Sequence, residues 1–474
     1  MTKIISGQDL INAGMSQGQW FRAALDAANG ILGAGGSLDE ALEAARTFEP
    51  GPVMALRDDG AVPIHSNIRA ETAFEQANVE KVQATMRALV RTPVVRSAAI
   101  MPDACPAGPI GTIPVGGVVA SEAIHPGMHS ADICCSMAIS IVPGVDPKAL
   151  LDAVQAVTHF GPGGRPSAAR LRPSDATLAA FETNFILRES ALGASLEHFG
   201  TQGDGNHFAY VGRMKSTGET ALVTHHGSRA PGARLYTRGM KIANRFRELL
   251  SPETLPDNAW IPADTVEGEA YWAALQTVRQ WTKENHAVIH DMAAERVQAR
   301  IADRFWNEHN FVFRKADGLF YHGKGATPAF DGWAADATDL TIIPLNMGEP
   351  ILIARGSNAS HGLGFSPHGA GRNTSRSAHV RRLAEDYGAD ARGLSPNNIA
   401  AILAKETAGL DVRFFSGEAD VSELPSAYKS AASVRAQIAE FGLAEIVDEV
   451  IPYGCIMAGD VEKNAPWRRK RGGR

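Results

Sequence analysis

Residues 368 to 376 read His-Gly-Ala-Gly-Arg-Asn-Thr-Ser-Arg, so a histidine opens a glycine-hinged loop carrying Arg372 and Arg376 four residues apart. Gly369 and Gly371 let backbone approach a ligand closely, the arginines offer planar forks to phosphate oxygens, and His368 can serve as base, ligand or nucleophile. Taken alone, the segment is equally a loop with one surface histidine. Four clusters upstream shift that balance. Met101-Pro102-Asp103 precedes Asp132-Ile133-Cys134-Cys135-Ser136-Met137, where an aspartate and a cysteine three apart can face one metal from a tight turn. Gly205-Asn206-His207-Phe208 and Thr224-His225-His226-Gly227-Ser228-Arg229 each sit where a predicted strand meets a loop. Asn307-Glu308-His309-Asn310 follows a long helical stretch, and the basic loop Lys324-Gly325-Ala326-Thr327 comes soon after. A single histidine of this kind is more often a core or surface residue, and a single buried cysteine more often a small apolar one. Their accumulation, flanked each time by glycine or asparagine, points to a metal site.

The elements that must hold these residues are mixed. Apolar periodicity predicts helices at about 76–91, 147–157, 176–197, 236–250, 267–304, 376–387, 395–407 and 430–441, several opened by Ser or Asp. Short β-branched runs at Val94-Val95, 115–120, 138–142, 221–224, 340–344 and 351–354 predict strands, some buried on both faces because they do not alternate. Strands and helices do not alternate strictly enough for a doubly wound sheet or a barrel, so the fold class is α+β. The first 90 residues hold short helical pieces punctuated by Gly33-Ala34-Gly35-Gly36 and Phe48-Glu49-Pro50-Gly51-Pro52, with no chemistry beyond His65.

With 46 basic and 52 acidic residues in 474, composition alone announces no nucleic-acid binder. The segment Trp467-Arg468-Arg469-Lys470-Arg471-Gly472-Gly473-Arg474 holds five positive charges, and removing them from a net charge of −6 leaves the remainder near −11. Such a tail either binds polyanions by counterion release or is a solvated end. No run approaches the ~18 apolar residues of a membrane span, and the N-terminus lacks a long apolar signal region, so a soluble cytoplasmic protein is expected. Four cysteines, two of them adjacent, do not make a disulfide framework.

In their order along the chain these motifs, joined by Met347-Gly348 and Pro425-Ser426-Ala427-Tyr428-Lys429, resemble the RtcB family of RNA ligases from about Ala98 to Gly459. The resemblance implies a single large catalytic domain of mixed sheets and surrounding helices at 93–459, with 1–92 as a helical extension packed on it and 460–474 as a basic tail. It implies a ligase dependent on GTP and two Mn2+ ions that joins an RNA 3′-phosphate or 2′,3′-cyclic phosphate to a 5′-hydroxyl end, in RNA repair or tRNA splicing. By the same resemblance Asp132, Cys135, His207, His225 and His309 hold metal, and His368 is the nucleophile that takes up GMP. Asp103, Asn206, His207, Phe208, Asn310, Pro344, Met347, His368, Gly369, Ala370, Gly371 and Tyr428 are implied at the nucleotide. Arg229, Lys324, Arg372 and Arg376 match basic positions expected to hold RNA phosphates.

Several positions depart from the family pattern. Cys134 replaces a glycine, Cys105 a histidine and Tyr210 a glutamate, Ile351 falls where a serine is expected, and Ile456-Met457-Ala458-Gly459 lacks the family's guanine-reading lysine. These changes spare the implied metal ligands and nucleophile and bear on guanine specificity. Two alternatives stay open: a nucleotidyltransferase that caps a 3′-phosphate without sealing it, and a non-catalytic RNA-binding paralogue. The second would be expected to lose a ligand or the nucleophile.

Overall fold

The computed structural model describes residues 4–18, 20–49, 53–388 and 393–460. Lys463 and the run from Trp467 to Arg474 lie outside the described residues, as do Pro50, Gly51 and Pro52. The chain forms two compact units, one running to Leu56 with Arg245–Thr254 added, the other comprising Arg57–Asn244 and the residues from Leu255 onward. Motif resemblance begins after residue 92, whereas the larger unit already takes in everything from Arg57 to Asn244.

In the smaller unit, helices Phe21–Gly33 and Leu38–Arg46 meet through Ala24, Ala28, Ala41 and Ala45. Alanines four apart lie on one helix face and let the two backbones approach closely. Ser37 and Glu40 form a capping box that starts the second helix.

The larger unit is α+β and is built on two main sheets. One has five strands: β1 (Ile64–Ser66), β2 (Val95–Cys105), β3 (Val115–Ser121), β8 (Asn310–Arg314) and β9 (Phe320–Lys324), in the order β1-β2-β3-β9-β8. The other has β4 (Ser136–Val142), β5 (Phe208–Met214), β6 (Thr220–His226), β7 (Asp303–Glu308), β11 (Leu340–Ile343), β12 (Ile351–Gly356), β14 (Asp411–Phe414) and β15 (Ala444–Met457). Its order is β11-β12-β15-β5-β6-β4-β7, with β14 beside β15. A short pair, β10 (Ala326–Pro328) and β13 (Phe365–Pro367), holds the segment leading into His368.

Every residue of β4 and β6 is buried, which is why their sequences run apolar without alternation. Met137, Ile139 and Ile141 of β4 enter one core with Ala221 and Val223 of β6. Ser136 and Ser140 instead bond to His286 and His290 of the helix Val266–Arg296. That helix is opened by a Thr265 side-chain cap, with Glu267 and Glu269 in its first turn and Arg296 in its last, all in the favourable sense for the helix dipole.

Of the departures from the sequence expectation, three have evident physical causes. The helix expected over 267–304 stops at Arg296, because Gln298 takes a left-handed φ of 54° and Asp303 begins β7 against β4. Propensity favours helix there, and pairing with β4 overrides it. The helix expected over 176–197 is three helices, Asp175–Thr183, Phe185–Ser190 and Leu192–Glu197, since Asn184 accepts from the N–H groups of Ile186 and Leu187 and restarts the chain. The fourteen-residue β15 was not expected at all: it carries three acidic residues, and Pro452 sits at a register shift where its missing N–H does no harm. Among the described residues, no helix is long and apolar enough to cross a membrane.

Candidate active site

The strand register fixes the site. His225 on β6 pairs with Phe208 of β5 and with Met137 of β4, and Met137 pairs with Asn307 of β7. Cys135 immediately precedes β4, His207 precedes β5 and His309 follows β7, so four side chains from distant parts of the sequence emerge at one end of one sheet. A sheet end is a rigid place to present ligands. The turn before β4 adds Asp132, and Gly227 faces it so closely that a Cβ there would lie 1.9 Å from Asp132 Oδ1. Cys134 sits in that turn at φ 57°, a left-handed conformation in which glycine is strain-free, and its N–H donates to Asn310 O at 2.7 Å.

The polar atoms converge in two groups that share one sulfur. Cys135 Sγ lies 3.2 Å from His225 Nε2 and 3.5 Å from His207 Nε2, His225 Nε2 lies 3.2 Å from His309 Nε2, and His207 Nε2 lies 3.1 Å from Asp132 Oδ2. Cys135, His225 and His309 thus make one potential cation-binding group, and Asp132, Cys135 and His207 another. Backbone carbonyls orient two of the rings: Gln202 O meets His207 Nδ1 at 2.7 Å and Asn206 O meets His225 Nδ1 at 3.0 Å. A carbonyl can only accept, so each Nδ1 carries a proton; His225 Nε2 turns a lone pair toward the cluster, and His207 Nε2 can bond to Asp132 or, once a cation takes the place of the proton, to that cation. Burial, reinforced by the neighbouring rings His368 and His207, pushes His225 well below the ordinary histidine range. Burial and then His368 and His225 do the same to His309. Burial opposes the charge of Asp132, yet hydrogen bonding and charge from His207, with help from Cys135 and Arg229, hold it below its ordinary value. Burial and Asp132 keep the Cys135 thiol protonated far above its usual range until a cation displaces the proton. Imidazoles, a carboxylate and one thiol at this spacing could hold a divalent cation, and such donors accept manganese, zinc or cobalt alike.

Beside this cluster stands His368. Its ring stacks on His309 with centroids 3.3 Å apart and lies 5.1 Å from His225. Its Nδ1 is buried without a hydrogen-bond partner, and burial pushes it down to about 3, so it is a neutral imidazole with an available nitrogen. The loop behind it is pinned. His368 N–H donates to Gly325 O at 3.2 Å, Gly369 N–H to Asp103 Oδ2 at 3.4 Å, and Gly371, at φ 73°, passes so near Asp103 that a Cβ would fall 2.0 Å from its carbonyl oxygen. Lys429 Nζ grips the carbonyls of Pro102 and Ala104 at 3.1 and 2.7 Å.

His368 and His225 open on a cavity of about 300 Å3. Of the residues implied at the nucleotide, Asp103, Asn206, Phe208, Pro344, Met347, Gly369, Ala370, Gly371 and Tyr428 line it too. His207 and Asn310 do not: the former belongs to the cation groups, and Asn310 Oδ1 takes the Gly325 N–H at 2.8 Å. Of the four basic residues, Arg372 and Arg376 line the cavity. Arg229 lies over Gly203, where a Cβ would sit 1.8 Å from its Nη1, and Lys324 donates to Ile113 O at 3.0 Å.

Sequence reasoning passed over Glu423. It is 1% exposed, and its carboxylate holds Arg372 at 3.3 Å, Arg376 and the Tyr428 hydroxyl together at the cavity wall. Its position five residues before Tyr428 was the available signal, but a lone glutamate in a Ser-Glu-Leu-Pro segment has no distinctive spacing. The remaining wall is apolar, formed by Phe208 and Tyr210 of β5 facing Met457 and Cys455 of β15, with Ile351 of β12.

The family model described as tRNA-splicing ligase RtcB matches residues 174–458, more than half of the chain. The chain belongs to the RtcB family. A protein named tRNA-splicing ligase RtcB from Thermococcus kodakarensis is 28% identical over 296 residues, covering 54% of this chain and 58% of that protein. One of the same name from Pyrococcus abyssi is 26% identical over 294 residues, 31% of its length. An RNA-splicing ligase RtcB from Mycobacterium tuberculosis is 27% identical over 305 residues, 57% of this chain and 67% of that protein. The stretch matched by the RtcB model contains His207, His225, His309 and His368, whereas Asp103, Asp132 and Cys135 precede it and reach the cluster through the fold.

Proposed function

We propose that the protein is an RNA ligase that uses GTP and two Mn2+ ions to join an RNA 3′-phosphate or 2′,3′-cyclic phosphate to a 5′-hydroxyl end. The observation that carries this reading is the placement of a neutral His368, with an unpartnered Nδ1, between two potential cation groups that share the Cys135 sulfur and a nucleotide-sized cavity. Bound divalent ions would withdraw charge from the phosphates. Asp132, Cys135, His207, His225 and His309 would hold them. The His368 nitrogen attacks the α-phosphate of GTP, the bond to pyrophosphate breaks, and GMP rests on the imidazole. A 2′,3′-cyclic end is first opened by water to a 3′-phosphate, and an oxygen of the 3′-phosphate then attacks the bound GMP, breaking the P–N bond and freeing His368. The 5′-hydroxyl attacks the activated end, forms the phosphodiester and expels GMP. Arg372 and Arg376, held in place by Glu423, neutralise phosphate charge during both transfers.

The test is incubation of purified protein with Mn2+, α-labelled GTP and a 3′-phosphate/5′-hydroxyl RNA pair. Label should remain on protein in alkali and leave in acid, as a phosphoramidate does, and should be absent from His368→Ala. Full labelling of that variant would remove His368 from the mechanism. A capped but unsealed RNA product would convert the reading to an end-capping nucleotidyltransferase.

A further inference from the structure

The helix Arg229–Leu250 starts at the rim of the cation groups and carries Arg234, Arg238 and Lys241 on its outer side. At 3.6 residues per turn these three fall within ~60° of one another, and at 1.5 Å per residue Lys241 stands ~18 Å along the helix from Arg229. Leu235, Gly239, Ile242 and Ala243 form its buried side. In a chain of net charge −6, an ordinary solvated helix face mixes signs, yet residues 229 to 244 contain no aspartate or glutamate.

More cations converge where this helix begins. Arg165 Nε donates to Gly200 O at 3.0 Å, Arg229 covers Gly203, and Arg376 Nη2 lies 3.3 Å from where a Gly205 Cβ would be, so three guanidinium groups ring the glycine loop that delivers His207. His198 has a buried Nδ1 without a hydrogen-bond partner. Burial and then the Arg229 charge lower its pKa, with Arg234 and Arg170 acting in the same direction against Glu197. Arg234 also reaches Ser190 O at 3.4 Å, and Arg238 makes an exposed pair with Glu189 at 3.3 Å, a contact weak enough to yield to a polyanion.

We propose that the outer face of this helix is a track for single-stranded RNA, in which backbone phosphates beyond the reacting end lie along Arg234, Arg238 and Lys241. The direction of the strand, with its end at the cation groups, rests on the ligase reading, while the binding surface is argued from charge and geometry alone. Point charges at helical spacing recognise backbone and not base edges, so the track is tolerant of sequence and sensitive to salt.

Binding of a fluorescent single-stranded RNA of about 12 nucleotides is followed by anisotropy over a range of salt concentrations. For the triple variant Arg234→Gln/Arg238→Gln/Lys241→Gln, the slope of log K against log salt should flatten by about 2, at ~0.7 per phosphate contact on a single strand, and affinity at low salt should fall at least about tenfold. Labelling of His368 by GTP without RNA should be unchanged. A control variant, Lys81→Gln/Arg87→Gln on the helix Ala73–Leu89 that packs against β2, should keep the wild-type slope. An unchanged slope in the triple variant, or an equal flattening in the control, overturns the track. If the wild type never labels with GTP but the triple variant still loses the slope, the track stands and the ligase reading falls.

Discussion

His225 and His207 each spend the Nδ1 proton on a backbone carbonyl, and that single constraint aims Nε2 of both rings at Cys135. The adjacent thiols have opposite fates. Cys135 faces this cluster, whereas Cys134, fully buried, bonds to Thr282 and feels Glu308 and Arg279. Cys135→Ala should therefore lose metal, read by elemental analysis, together with GTP labelling. Cys134→Ala should keep both and cost only ~1–2 kcal/mol of stability for the lost packing. Equal metal loss from the two would mean the wrong thiol has been chosen. Asp103 supplies a pH signature. It is 1% exposed, Oδ1 lacks a partner, and burial, only partly opposed by Lys429, raises it from 3.8 to about 7. A carboxyl raised in the folded state is neutral in both states below pH ~4, so it costs nothing there. As pH climbs to 7 the unfolded chain ionises first, the folded state loses ground, and above 7 the cost is complete. Asp103→Asn should thus match the wild type near pH 4 and exceed it by on the order of 4 kcal/mol at pH 8, in denaturant titrations with a chelator present. A constant difference across that range would show that the carboxyl is not perturbed.

Among the elements, the end of the eight-stranded sheet positions the candidate ligands, and the helix Val266–Arg296 is tied to that sheet through His286 and His290. His286 and His290 from that helix both meet Thr224 Oγ1, at 2.6 and 2.7 Å, one residue before His225. Thr224→Val keeps the shape but strands two buried ring nitrogens, and should lower stability by ~2–3 kcal/mol in urea. A neutral effect would mean those rings find other partners. Gly227→Ala tests the opposite flank of the cluster, because the added methyl falls on Asp132. It should remove the ion held by Asp132, Cys135 and His207, leaving the group of Cys135, His225 and His309, so bound metal should drop by about half. Retention of full occupancy would show that Asp132 is no ligand.

At the scale of the whole molecule, the cavity beside His368 would, under the proposed ligase reading, set nucleotide choice. Phe208, Tyr210, Ile351, Cys455 and Met457 give it an apolar wall, and Glu423, its buried glutamate, is already engaged by two arginines and a tyrosine. A wall that offers a base few charged partners leaves little to lose with the wrong base, so discrimination by hydrogen bonding should weaken by roughly 1–3 kcal/mol. ATP should compete with labelled GTP for His368 within about a hundredfold. Strict GTP choice that survives truncation after Gly459 would count against this wall as the cause, and a loss of choice on truncation would assign base reading to the tail around Lys463.

Much of the site was legible in the sequence, because its ligand types sit in short local motifs. Asp132 with Cys135, the histidines at 207, 225 and 309, and the loop at 368 each advertise themselves through spacing and flanking glycines, and the α+β class follows from unalternating apolar runs mixed with periodic ones. What the motifs could not carry was distance. Cys135 and His309 are separated by more than 170 residues, and only the antiparallel register of β4, β6 and β7 brings them to one sheet end. The same limit hid β15, whose charged, proline-bearing sequence becomes a strand through its neighbours β5 and β12. It also hid Glu423, whose role exists only once Arg372, Arg376 and Tyr428 have been folded onto it. Local chemistry is written residue by residue, but hydrogen-bond partners and burial are properties of chain segments brought together, and these only the tertiary structure decides.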